Sequence, residues 1–253
     1  MLRADSLRVA FGGVVAVSDV SLAVEARRVL AVVGPNGSGK TTLLNAITGL
    51  VPRAGTVTVD DVEMPAGRPG AARQAGVVRT FQTPQVLEEV SCLDNVLLAT
   101  GDRQATGVLA SWVGRRSMLR HERLRWERAT ACLERFGLRP QASVPASRLT
   151  YGQRRWLELA RVAMAGPRYL LADEPSAGLN DAETQRLADH LRSFRNEGVG
   201  LVLVDHKVDF LRTVADRAIV LALGESVAEE GIDAIWDLPA VQQAYLGTRR
   251  VVG

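Results

Sequence analysis

Short runs of apolar and β-branched residues recur along the chain and alternate with stretches of helical period, the pattern of strands and helices interleaved in an α/β sheet. Strands are predicted at residues 7–11, 20–24, 29–33, 56–59, 77–80, 169–172, 200–204 and 218–223. Residues 29–33 and 201–204 are apolar almost without interruption, so both are expected at the sheet centre, covered on both faces. The first strands lie closer together, with Gly12 and Gly13 between them, and read as an antiparallel flank. From about Ser91 to Phe136 the strand signal stops. Residues 119–136 form a charged, amphipathic helical pattern with Leu124, Ala131 and Leu133 among its apolar positions. Pro140 and Pro145 interrupt it before a further helix at about Tyr151–Ala165. The expectation is one domain in which a helical lobe, 82–166, is inserted into an α/β core formed by 1–81 and 167–253.

The strongest local signal follows the strand at 29–33. The run Gly34-Pro35-Asn36-Gly37-Ser38-Gly39-Lys40-Thr41 fits G-x-x-x-x-G-K-[ST], and it opens the helical run 41–49, with Thr42 also expected at the nucleotide. Gly34, Gly37 and Gly39 let the backbone bend so that its N–H groups converge on phosphate oxygens. The helix N-terminus adds a positive dipole end, Lys40 a full charge, and the Thr41 hydroxyl a ligand for Mg²⁺. This predicts a nucleoside triphosphate without saying which chemistry follows. A second site lies at the end of the apolar strand 169–172, where Asp173 and Glu174 stand at the edge at which open α/β sheets bind ligands. The chain turns at Pro175, so both acids are expected to reach the site: Asp173 to hold Mg²⁺, Glu174 to polarise an attacking water.

Composition adds limits. Of 253 residues, 47% are hydrophobic and 23% charged, which excludes wholesale disorder, collagen-like repeats and disulfide-rich scaffolds. The net charge of +3 gives no reason to invoke nucleic acid. No apolar stretch approaches the roughly 20 residues of a membrane span, and MLRADSLRVAFGG lacks the apolar core of a secretory signal. Cys92 and Cys132 have no CxxC spacing and read as reduced thiols of a cytosolic protein, so any membrane role is expected through a partner chain.

Taken in order, these motifs resemble those of ATP-binding cassette (ABC) ATPases. Leu149-Thr150-Tyr151-Gly152-Gln153 resembles the ABC signature L-S-G-G-Q and precedes Asp173–Glu174, as it does in the family. The resemblance implies that two cassettes meet head to tail, each signature contacting ATP on the opposite glycine-rich loop, with Thr150 as hydroxyl donor, Gly152 keeping the backbone open and Gln153 at the nucleotide. Tyr151 departs from the usual small Gly. Gln82 resembles the glutamine that touches Mg²⁺ and links nucleotide state to the helical lobe. His206 resembles the histidine that contacts the γ-phosphate, and residues 176–180 a dimer-seam loop in which Asn180 replaces the usual Asp. Phe11 stands where many cassettes stack an aromatic ring on adenine, with a buried core Phe as the alternative. The implied fold is α/β: a P-loop ABC ATPase core with a mixed central sheet, an antiparallel β flank and an inserted α-helical subdomain.

Further stretches narrow the resemblance to the branched-chain amino acid uptake ATPases, in the subunit type carrying YGQ. These are residues 11–22, Arg79–Gln82, 151–161 and the ending Ala244-Tyr-Leu-Gly247. Residues 99–136, with Trp112 and Trp126, resemble an elongation of that type. The resemblance implies an ATPase on the cytoplasmic face of the membrane whose partners are ATP, a second cassette (identical or not), permease subunits and, indirectly, a substrate-binding protein. Urea or amide uptake, lipopolysaccharide export and a non-hydrolysing regulatory cassette stay open as alternatives. The transported molecule touches other subunits, so no residue here reads it.

Overall fold

Ten strands are laid out in two sheets in a computed structural model that describes residues 1–100 and 115–247. In chain order the elements are β1 (Leu2–Phe11), β2 (Val14–Val24), β3 (Val29–Val33), α1 (Lys40–Ile47), β4 (Ala54–Val59), β5 (Val62–Glu63), α2 (Pro69–Gln74), β6 (Val77–Thr80), α3 (Cys92–Leu97), α4 (Arg115–Arg135), α5 (Tyr151–Ala165), β7 (Tyr169–Asp173), α6 (Asp181–Asn196), β8 (Gly200–Val204), α7 (Val208–Val214), β9 (Arg217–Ala222), β10 (Glu225–Gly231) and α8 (Pro239–Gly247). One sheet, in the order β2-β1-β4-β5, is antiparallel throughout. The other runs β10-β9-β3-β8-β7-β6 and is mixed: β10 alone is antiparallel to its neighbour. This is the α/β fold expected, a mixed sheet with an antiparallel flank.

The chain divides into two compact units: Met1–Gln82 together with the segment from Pro167 onward, and Thr83–Gly166. In the first, every residue of β3, β7 and β8 is buried. Parallel strands covered on both faces need such continuous apolar runs, and they fix the carboxyl ends of the three strands as one rigid rim. The second unit is helical, with α3, α4 and α5 packed on one another.

Two expectations are corrected here. Along α4, Ala129 and Leu133 are buried, whereas Leu124 is 48% exposed and Ala131 is also exposed. The strand expected over 218–223 ends at Ala222, because Leu223 adopts a left-handed turn, φ 50°. The expectation for Trp112 lies outside the described residues.

Candidate active site

The rim at the ends of β3, β7 and β8 carries the site. After Val33 the chain loops through Gly34–Gly39 into α1. Gly34 has φ 149° and a Cβ there would lie 2.1 Å from the Leu221 carbonyl oxygen; Gly39 has φ 99° and a Cβ would lie 2.3 Å from that of Ala16. Only glycine allows that turn at those approaches. Helix α1 starts with no side-chain cap and no acid in its first turn, so its leading N–H groups are left for a ligand. By contrast, α5 and α6 both open with complete capping boxes, Thr150 with Gln153 and Asn180 with Glu183. Asn180 is thus an effective N-cap in place of the Asp expected there.

Lys40 folds back over the loop and donates to the carbonyls of Gly34 and Pro35, both at 2.9 Å. Burial pushes its pKa down, while the charges of Glu174 and Asp173 pull it up. Asp173, at the end of β7, takes Arg79 Nη2 at 2.9 Å on Oδ2 and lies 3.4 Å from Thr41 Oγ1 on Oδ1. The Arg79–Asp173 pair is buried, the two side chains 5% and 6% exposed. Arg79 also donates to Asn45 Oδ1 of α1, so one guanidinium ties the helix after the glycine loop to the acid of β7.

Glu174 follows with φ 46°, and its N–H donates to the Val204 carbonyl at 2.7 Å. This left-handed residue, rather than the turn at Pro175, brings the second acid to the site, at a cost of about 1–3 kcal/mol that the surrounding bonds must sustain. Gln82 Nε2 donates to Glu174 Oε2 at 2.9 Å, and His206 Nε2 lies 2.9 Å from Oε1. Toward an ionised carboxylate that nitrogen must be the protonated one. His206 is held in turn by Asp205, whose carboxylate accepts the N–H groups of His206, Lys207 and Ser176 and the Ser176 hydroxyl, at 2.8–3.1 Å.

Ala16, Asn36 to Thr42, Gln82, Glu174 and His206 therefore line one cleft of about 550 Å³. The predicted Gly34 and Pro35 contribute their carbonyls to Lys40 behind it. Phe11 is not in the lining; it is 51% exposed at the end of β1. Thr150, Gly152 and Gln153 belong to the helical unit, at the start of α5. Arg79 and Asp205 were not predicted. The signal for Arg79 was a cation in an otherwise apolar strand, which burial there requires to be paired.

A loop of uncapped amides, a lysine and a carboxylate beside a hydroxyl make an arrangement suited to phosphate, with a second carboxylate in the same cleft. A family model for the ABC transporter matches residues 17–177. The chain belongs to the ABC transporter family. Within this family it is similar to the high-affinity branched-chain amino acid transport ATP-binding protein BraF of Pseudomonas aeruginosa, 38% identical over 250 residues and 98% of each chain. LivG of Escherichia coli, named for the same transport, is 35% identical with the same coverage. Among solved structures, the ADP conformation of MJ1267, an ATP-binding cassette of an ABC transporter, superposes with a TM-score of 0.82 at 29% identity, covering 98% of both chains. A nucleotide-free cassette gives 0.81 at 28%, covering 97% of this chain and 98% of that one. As an ABC cassette the chain is an ATP-binding protein, and no helix among the described residues is long and apolar enough to cross a membrane.

Proposed function

We propose that this chain binds and hydrolyses ATP as the nucleotide-binding subunit of an importer for branched-chain amino acids. The observation that carries the catalytic part is the placement of Glu174 between Gln82 and His206, in the cleft that also holds Lys40 and Thr41. The transport assignment rests on the branched-chain amino acid transport for which BraF and LivG are named.

In this reading the amides of residues 34–42 and the Lys40 ammonium bind the phosphates, and Phe11 offers its exposed ring to adenine. Asp173, Thr41 and Gln82 supply hard oxygen donors that suit Mg²⁺. The metal would supply charge neutralisation at the β- and γ-phosphates. Both carboxylate oxygens of Glu174 are engaged, so withdrawal of Gln82 would leave Oε2 open to a water, whose proton it takes as that water attacks the γ-phosphorus and the bond from that phosphorus to the bridging oxygen breaks, ADP leaving with the oxygen. His206 holds the other oxygen and orients the base, while Lys40 offsets the charge developing on the transferred group. Thr150, Gly152 and Gln153 would face the nucleotide of a second cassette. Residues 1–81 and 167–253 would form the nucleotide-binding core and 82–166 the subdomain that meets the permease, holding the chain at the inner face of the membrane. A binding protein would deliver the amino acid.

The test is phosphate release by the purified chain with MgATP. His206→Ala should reduce turnover by at least about tenfold, with affinity for a fluorescent ATP analogue held within about twofold. Unchanged turnover would contradict the reading.

A further inference from the structure

Glu174 holds a conformation that its own neighbour opposes. It precedes Pro175, and a residue before proline settles in extended backbone, yet its φ is 46°. On the N-terminal side the turn is fixed by the Glu174 N–H, which donates to the Val204 carbonyl at 2.7 Å. On the other side Pro175 has no N–H to give, so Ser176 is the first residue past Glu174 whose amide can be held. Both donors of Ser176 go to Asp205: the N–H to Oδ2 at 3.1 Å and the hydroxyl to Oδ1 at 2.8 Å. The Ala177 N–H then closes the turn on the Glu174 carbonyl at 3.0 Å.

The same Oδ1 accepts the amides of His206 and Lys207, at 2.8 and 3.0 Å. One buried oxygen therefore joins the loop that carries the base to the loop that carries its histidine. Asp205 is 4% exposed and Ser176 1%, so little water competes for these bonds. Four donors, none of them charged, satisfy the carboxylate. Lys207 adds a second tie between the two loops, its Nζ donating to the Leu179 carbonyl and to Thr184 Oγ1, both at 3.1 Å. All of these residues lie in the first unit.

We propose that Asp205 and Ser176 are positioning residues for the Glu174 base, holding its carboxylate in register with His206. This rests on the ATPase reading above and deepens it. Neither residue lines the cleft. They act through the backbone on either side of the 2.9 Å contact between Glu174 and His206. A shift of about 1 Å at a reacting group can cost about 100-fold in rate, so the tie bears on turnover and not on nucleotide affinity.

The experiment compares phosphate release, ATP-analogue affinity and melting temperature for the full chain in wild type, Ser176→Ala, Asp205→Asn, Glu174→Gln, and Glu174→Gln combined with each of the first two. Asparagine at 205 keeps one acceptor oxygen but turns an NH₂ group toward a donor, whereas Ser176→Ala removes one hydroxyl and leaves the buried carboxylate three amides. Asp205→Asn should lose at least about 30-fold in turnover and Ser176→Ala at least about fivefold, with ATP affinity within about twofold of wild type. In the Glu174→Gln background there is no base left to position, so the same substitutions should change the residual turnover by less than about twofold. Should Asp205→Asn fail to fold, Ser176→Ala decides alone. Equal losses in the two backgrounds, or turnover per folded molecule unchanged with only the melting temperature lowered, would overturn the positioning role and leave the ATPase reading intact. Absence of turnover in the wild type would overturn the ATPase reading and the positioning role with it.

Discussion

The surroundings of Lys40 pull against each other. Burial lowers its pKa, the acids Glu174 and Asp173 raise it, and its ammonium gives two donors to Gly34 and Pro35. An ammonium has three donors, and the phosphates of a nucleotide supply the charge that burial withholds. The folded pKa lies below that of the unfolded chain, so the charged form is disfavoured by folding and is lost first as pH rises. ATP affinity should accordingly fall on the alkaline side at a lower pH than an exposed lysine would titrate, measurable as a pH series of binding isotherms. In Lys40→Ala that alkaline fall should vanish, along with most of the stabilisation, about 2.7 kcal/mol at a hundredfold excess of ATP over Kd; an unchanged thermal shift would contradict it. Arg79 invites a second test. Its removal leaves Asp173 without its buried partner, so Arg79→Ala should cost about 3–5 kcal/mol in chemical denaturation. Individual site residues were legible where the motif fixed both type and spacing, as at Lys40, Thr41, Asp173 and Glu174. Arg79 and Asp205 were not, because their roles lie in bonds to distant segments, Asn45 and Asp173 for one, Ser176 for the other.

At the scale of elements, the glycine loop and the helix starts divide the work. Helix α1 leaves its first amides uncapped, whereas α5 and α6 satisfy theirs internally, and the difference supports α1 as the phosphate-facing end in the proposed site. The loop's shape depends on close approaches at Gly34 and Gly39. Gly39→Ala, with φ 99° and a backbone oxygen 2.3 Å from the new Cβ, should displace the loop and abolish ATP binding. Gly37→Ala meets nothing within 4 Å and should cost only the left-handed penalty of about 1–2 kcal/mol. Equal binding by the two variants, read by calorimetry, would show that the loop is not held as described. Central strands were legible for a physical reason: β3, β7 and β8 are covered on both faces and so carry near-continuous apolar runs, broken only where Asp173 ends β7 at the site. Strands β5 and β10 were missed because they are edge strands. Glu225–Gly231 is largely exposed and carries three glutamates, as suits an unpaired edge but hides a strand. Helix α5 was placed at its observed bounds, since Thr150 and Gly166 mark both ends.

Over the whole molecule, the family, the fold and the convergence of Gln82, Glu174 and His206 all bear on one claim: that Glu174 is the base in an ATP site. The order of motifs made that claim legible. The left-handed turn that brings Glu174 beside His206 was not, because φ at a non-glycine residue is set by the strands on either side. The most direct measurement is ATP binding and phosphate release compared between wild type and Glu174→Gln. The account predicts ATP affinity within about twofold and turnover lowered by at least about 100-fold. Near-normal turnover in Glu174→Gln, with ATP bound, would contradict it.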